Sequence, residues 1–162
     1  MNFEAEIEKI KSETKERIEK FIEELRSESK IFSAKLNDLT GHEAYEKLRD
    51  FYYILIRFKI KYIEIEYDFR LQLDKLKASI GRSSLSNDEK RKIYDAIGDL
   101  SEKFSEIKNP IKNLDNLINE LKPKIQAKEV NIKSLHIEET INNITTNMMK
   151  TLTTFNNTIS SQ

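Results

Sequence analysis

The chain has 162 residues, enough for one domain with its own core. Lys plus Arg and Asp plus Glu each total 28, so the formal net charge is zero and no long-range field gathers nucleic acid or anionic lipid. The absence of cysteine excludes disulfides, a lipidated cysteine anchor and thiolate metal sites, while only 3 glycines and 2 prolines leave little to interrupt long helices.

The first helix is predicted over residues 2–39. Phe3, Ile7, Ile10, Ile18, Phe21, Leu25, Phe32, Leu36 and Leu39 recur at helical spacing, with Thr14 and Ser29 filling two places in the stripe. Phe3, Thr14, Leu25 and Leu36 are spaced by 11, a period that favours straight or slightly right-handed packing. On the other face, Glu13–Arg17 and Glu16–Lys20 are placed for i,i+4 ion pairs. Such pairs contribute only about 0.2–0.5 kcal/mol each, so burial of the stripe has to hold this helix in place.

Thr40-Gly41-His42-Glu43 is the first punctuation, with Thr40 and Glu43 spaced as a capping box. A second helix is predicted over 41–80, with Ala44, Leu48, Phe51, Leu55, Phe58, Tyr62, Ile65, Phe69 and Leu76 on its core face. Gly81 stands where a left-handed residue would close it. Within it, residues 57–61 and 64–67 alternate polar and apolar with period two, which is a strand signal. The unbroken helical period on both sides and the lack of turn residues favour helix. Tyr53, Ile56, Ile60, Ile63 and Tyr67 lie outside the core stripe. They make the helix apolar on two faces. Either the helix is central in a bundle, or its second face docks on another chain.

Gly81-Arg82-Ser83-Ser84-Leu85 reads as a loop, and Ser86 with Glu89 as a second capping box. A third helix is predicted over 86–122. Ile93, Ile97, Leu100, Phe104 and Ile107 face inward, and the stripe continues in phase through Ile111, Leu114, Ile118, Leu121 and Ile125. A kink is expected at Pro110, with Asn109 as N-cap and Pro110 as the first residue of a nearly collinear continuation. Pro123 marks a second kink, and Val130-Asn131-Ile132 a short connection. The last helix is predicted over 134–160, with Ile137, Ile141, Ile144, Met148, Leu152, Phe155 and Ile159 as its stripe. Its polar face is Asn, Thr and Ser, with Lys150 the one charge after Glu139. These are poor helix formers, so packing must create this helix, on the bundle or on a partner.

Catalytic patterns do not emerge. His42 and His136 are the two histidines, and His136 with Glu139 gives at most two ligands on one helix face, too few for a metal site. There is no phosphate-binding glycine loop, no His-Glu-x-x-His and no nucleophile elbow. No cofactor and no small-molecule substrate are expected. Arg57, Lys59 and Lys61 interleave with Phe58 and Tyr62, and Lys108, Lys112, Lys122, Lys124, Lys128 and Lys133 make the third region mildly basic, but neighbouring carboxylates dilute both clusters. The longest apolar run, residues 51–56, is far below the roughly 18–20 residues of a membrane span. The acidic start has no apolar stretch of a signal peptide, which points to the cytoplasm and leaves signal-less export open. The Lys, Ile, Asn and Glu richness is the coding bias expected of an AT-rich microbial or viral genome and carries no functional information.

The expected fold is all-α: an elongated antiparallel bundle of residues 1–162. Within it, a coiled-coil-like hairpin of long helices carries a kinked third arm and a C-terminal helix. The expected function is a non-enzymatic protein–protein interaction module, a subunit, adaptor or inhibitor that forms homo-oligomers or joins a larger complex. Tyr52, Tyr53, Ile56, Ile60, Ile63 and Tyr67 are the first contact candidates, and Met148, Met149 and Phe155 the second, because aromatics and methionine suit helix-groove partners. The alternatives are a membrane-perturbing or exported helical effector, and a single-strand- or RNA-binding subunit.

Overall fold

The computed structural model describes residues 2–128 and 136–158. Among these residues five helices follow in order: α1 (Phe3–Leu36), α2 (Gly41–Gly81), α3 (Asn87–Ser105), α4 (Lys108–Gln126) and α5 (Ile137–Asn157). Among the described residues there is no strand, and residues 57–67 are helical throughout. The expected connection at 130–132 and the expected helix termini at 134 and 159–160, with Ile159 and Lys133, lie outside the described residues.

Cross-helix pairs set the directions. Phe32 stacks on Phe51 with ring centroids 4.4 Å apart, Phe21 meets Phe58 edge-on at 5.4 Å, and Arg17 reaches Asp68 at 2.7 Å. Numbers fall along α1 as they rise along α2, so the two form an antiparallel hairpin. Farther round, the Tyr45 hydroxyl donates to the Ile125 carbonyl, Lys59 pairs with Asp115, and Arg70 donates to Ser101 and Ser105. Together α3 and α4 therefore run back along α2 as one bent arm. The last arm, α5, returns between this arm and α1, where Arg26 Nε donates to Thr145 Oγ1 at 2.9 Å. Four arms of alternating direction enclose one continuous apolar core. Its centre is aromatic: Phe69, Phe104 and Phe155 meet with centroids 4.2–5.9 Å apart.

Each cap and breaker has its local reason. Asn2 caps α1 by accepting from the Ala5 N–H, and Ser86 caps α3 by accepting from the Glu89 N–H. Thr40 occupies the N-cap of α2, but its hydroxyl accepts nothing, so the expected capping box with Glu43 does not form. Gly41, at φ +60°, stands between Thr40 and the first right-handed turn and carries the reversal.

Further expectations are corrected. Gly81 is not left-handed but closes α2 in right-handed geometry. There it leaves room for Tyr94, whose hydroxyl would sit 3.4 Å from an added Cβ and donates to the Lys77 carbonyl. The left-handed residue after a helix is instead Lys128, beyond α4. The third arm breaks at Glu106 and Ile107, ahead of Pro110, and Ile107 rather than Asn109 takes the N-cap place. Pro110 has no N–H to donate to the Glu106 carbonyl and crowds it, and the break falls at that carbonyl. The helix runs past its expected end at 122 to Gln126, with Pro123 inside it. Finally, neither Glu13–Arg17 nor Glu16–Lys20 is the pair formed: Arg17 turns to Asp68 of α2, and Lys20 approaches Glu24.

Packing also explains α5. Ile137, Ile141, Ile144, Met148, Leu152 and Phe155 are buried in the core. Thr140, Thr145, Thr151, Thr153, Thr154 and Thr158 each donate a hydroxyl to the carbonyl four residues earlier. This back-bonding satisfies side chains that otherwise compete with the helix, and the apolar stripe supplies the stabilisation that propensity lacks. Thr14 and Ser29 hold the stripe positions expected of them in α1. Lys11 is buried as well, its ammonium held by Glu8 at 2.9 Å. No described helix is long and apolar enough to cross a membrane.

Candidate interaction surface

The candidate surface is the outer face of α2. Two residues along an α-helix rotate the side chain by about 200°, so positions i and i+2 point to opposite sides. The inner row is Phe51, Leu55, Phe58, Tyr62, Ile65 and Phe69, all buried. Displaced by two residues is the outer row: Tyr53 (55% exposed), Ile60 (50%), Ile63 (55%) and Tyr67 (65%), with Ile56 half-buried among them. The period-two pattern in the sequence is thus two helical stripes superposed. In a strand, Phe58, Ile60 and Tyr62 would share a face; here Phe58 and Tyr62 enter the core and Ile60 leaves it.

Charged contacts fence both edges of the outer row. Toward α1, Lys61 pairs with Glu24 at 3.2 Å and Asp68 with Arg17 at 2.7 Å. Toward the third arm, Lys59 pairs with Asp115 and Glu66 with Lys108. Burial of the inner row holds α2 between its neighbours, and these exposed pairs add little to it. Arg57 and Glu64 are exposed beside the row, and among the described residues neither has an ion-pair partner. At the start of the row, Tyr52 and Tyr53 meet edge-on at 5.4 Å, Tyr52 half-buried against the core.

The nine contact candidates from the sequence separate into three groups. Tyr53, Ile56, Ile60, Ile63 and Tyr67 come together on one face, with Tyr52 at its margin. Met148 and Phe155 are fully buried: Met148 lies on the core stripe of α5, and Phe155 completes the aromatic centre with Phe69 and Phe104. Both serve packing, because α5 turns its one apolar stripe inward. Met149 is partly exposed, on an arm placed across the bundle from α2. Arg57 and Glu64 emerge as flanks of the row only in the folded chain. The signal was present in their spacing of seven, one residue after Ile56 and after Ile63.

Elsewhere among the described residues the histidines make local pairs with carboxylates. His42 lies 3.1 Å from Glu46 and His136 4.0 Å from Glu139, each exposed. Among the described residues no three His, Asp or Glu side chains are placed to hold a metal ion. A groove of about 390 Å³ is lined by Phe32, Ser33, Leu36, His136, Ile137 and Glu139, and among the described residues no hydrogen bond joins Ser33 to His136. Burial pushes the Tyr62 phenol well above its usual range, with the Glu66 carboxylate adding to the shift, so Tyr62 stays protonated at any physiological pH. Its hydroxyl, like that of Ser29, is buried with no hydrogen-bond partner among the described residues. No protein-family model, no curated protein and no solved structure gives a significant match to this chain.

Proposed function

We propose that this protein is a non-enzymatic interaction module that binds another protein chain through the outer face of α2. The observation that carries the proposal is the row Tyr53, Ile60, Ile63 and Tyr67, half or more exposed, with half-buried Ile56 among them, held on a helix whose opposite face already fills the core. Rows of this kind, rimmed by charge, are a common form of protein contact surface. Single-strand binding has less support. Phe58 and Tyr62 are buried and cannot stack on bases, while Lys59 and Lys61 are engaged by Asp115 and Glu24. Membrane perturbation is the alternative that the same row leaves standing. An interfacial helix, however, carries a strongly basic polar face, whereas the charges beside this row are of both signs. We place the action of the protein in the cytoplasm as part of the same proposal.

A photo-crosslinking residue at position 60, in the full chain expressed in its source cell, tests the reading. Protein adducts at position 60 that are absent with the crosslinker at the exposed position Arg91, in α3, are the expected result. Lipid adducts at position 60 would favour the membrane reading, and no adduct at all would overturn the proposal.

A further inference from the structure

We infer that the occupant of this face is a second copy of the same chain, with the two α2 helices packed antiparallel across their outer rows. The inference rests on the reading of the row as a protein-binding face and names its partner.

The spacing of the row is the first ground. Tyr53, Ile56, Ile60, Ile63 and Tyr67 are separated by 3, 4, 3 and 4 residues, the seam of a two-helix pair. The row spans about 21 Å at about 1.5 Å per residue. As an isolated peptide, two heptads would be too short to fold, but α2 is already formed and fixed by the bundle, so helix nucleation adds no cost on pairing.

Charge selects both the occupant and its direction. In an antiparallel pair, Ile60 faces Ile63 of the partner subunit, and Ile56 faces Tyr67 of the partner subunit. Arg57 then lies beside Glu64 of the partner subunit, and Lys59 beside Glu66 of the partner subunit. Two-fold symmetry repeats each contact, giving four attractive pairs. Sliding the register by one heptad would set Arg57 against Arg57 of the partner subunit and Lys59 against Lys59 of the partner subunit, so like charges disfavour that alternative. A parallel pair gains only Lys59 with Glu64 of the partner subunit, and leaves Arg57 opposite Tyr52 of the partner subunit and Glu66 opposite Leu71 of the partner subunit. The antiparallel arrangement thus uses Arg57 and Glu64, the two exposed charges beside the row that the bundle itself leaves without ion pairs among the described residues. Zero formal net charge means that two copies meet without mutual repulsion. In this register the rows overlap from Ile56 to Tyr67, and Tyr53 lies opposite Arg70 of the partner subunit; rows of that length make an interface in the small class, below about 1,200 Å² in total, so the dimer is expected to dissociate in the micromolar range.

Sedimentation velocity of the full chain across micromolar concentrations, with circular dichroism to confirm folding, is the test. The wild-type chain is expected to pass from monomer to dimer, and Ile60→Glu to remain a folded monomer. Arg57→Glu sets a carboxylate against Glu64 of the partner subunit in both symmetric contacts and is expected to raise the dimer dissociation constant about tenfold or more. Arg57→Glu combined with Glu64→Arg is expected to restore the dimer. A parallel pair would not be restored, because the guanidinium introduced at position 64 would then face Lys59 of the partner subunit. A monomer at all concentrations, a dimer indifferent to Ile60→Glu, or no rescue by the double swap each overturns the inference. If the chain is monomeric yet crosslinks to a different protein through position 60, self-pairing fails and the interaction reading stands. If it is monomeric and crosslinks to no protein, both fail.

Discussion

The two faces of α2 differ by two residues in register and by everything in fate. The inner face and the outer face draw on the same residue types, phenylalanine or tyrosine with isoleucine or leucine, at the same helical spacing. The inner row is sealed by α1, the third arm and α5, and its members are at most a few percent exposed. The outer row is about half exposed, although no feature of its composition marks it as a surface. Hydrophobicity decides that a side chain should leave water; the number of neighbouring arms decides which side chains can. A four-arm bundle covers one face of each arm, and α2 carries two apolar faces.

Substitutions at matched positions put that contrast in energetic terms. At protein concentrations low enough for monomer, Phe69→Ala removes a ring that touches both Phe104 and Phe155 and should cost about 3–5 kcal/mol in urea unfolding, whereas Ile60→Ala should stay within about 0.5 kcal/mol. A comparable loss at position 60 would mean that the outer row is packed within the chain, and the contrast would be gone.

Thr145 extends the comparison to α5. Its hydroxyl is fully buried, donates to the Ile141 carbonyl and accepts from Arg26 Nε. Replacement by valine keeps the shape but leaves the guanidinium without that acceptor, and should cost about 1–3 kcal/mol in the same measurement. An unchanged midpoint would show that water replaces the hydroxyl.

Tyr62 sharpens the contrast within the inner row itself. Its hydroxyl is buried without a partner, so Tyr62→Phe should leave stability unchanged or raise it by up to about 1 kcal/mol at neutral pH. The alkaline limb follows from the sign of the shift. The folded phenol holds its proton above the usual value, while the unfolded one releases it near pH 10. Stability from this group is full below about pH 10 and is lost as pH rises beyond it, so the phenylalanine variant should show a shallower alkaline loss in pH-dependent unfolding. An identical alkaline slope would place the Tyr62 hydroxyl in contact with water.

The smallest effect belongs to a position that faces neither row. Gly98 lies inside α3, is exposed, and an added Cβ there would meet nothing within 4 Å. Gly98→Ala should therefore stabilise the protein by about 0.5–1 kcal/mol in thermal or urea unfolding. Destabilisation would mean that the surface of α3 is covered.

Much of the fold could be read from the sequence because its signal is local and repeated. The stripes of α1, α2 and α5 each recur through many turns, so an error at one position does not move the helix. Boundaries were less legible, since they depend on single residues in competing roles. Pro110 marked the break but not its place, because the clash falls on the preceding turn at Glu106. Gly81 resembled a helix terminator, while its actual constraint is Tyr94, which passes close to it on the way to the Lys77 carbonyl. In the candidate surface, the outer row of α2 was visible as surplus apolar residues, but Met148 and Phe155 could not be told from surface residues without knowing which way α5 turns its stripe. Arg57 and Glu64 gained meaning only once the core had claimed the opposite face.

The most direct test uses the absence of native cysteine. Single cysteines at Leu55, Ile60, Ile63 and Ile65, one per variant, are reacted with a thiol probe at low and at high protein concentration. Two opposed helical rows predict fast labelling at 60 and 63 and protection at 55 and 65 in dilute solution, with 60 and 63 alone becoming protected as concentration rises. Equal labelling at 63 and 65, or rates at 60 and 63 that do not respond to concentration, would contradict it.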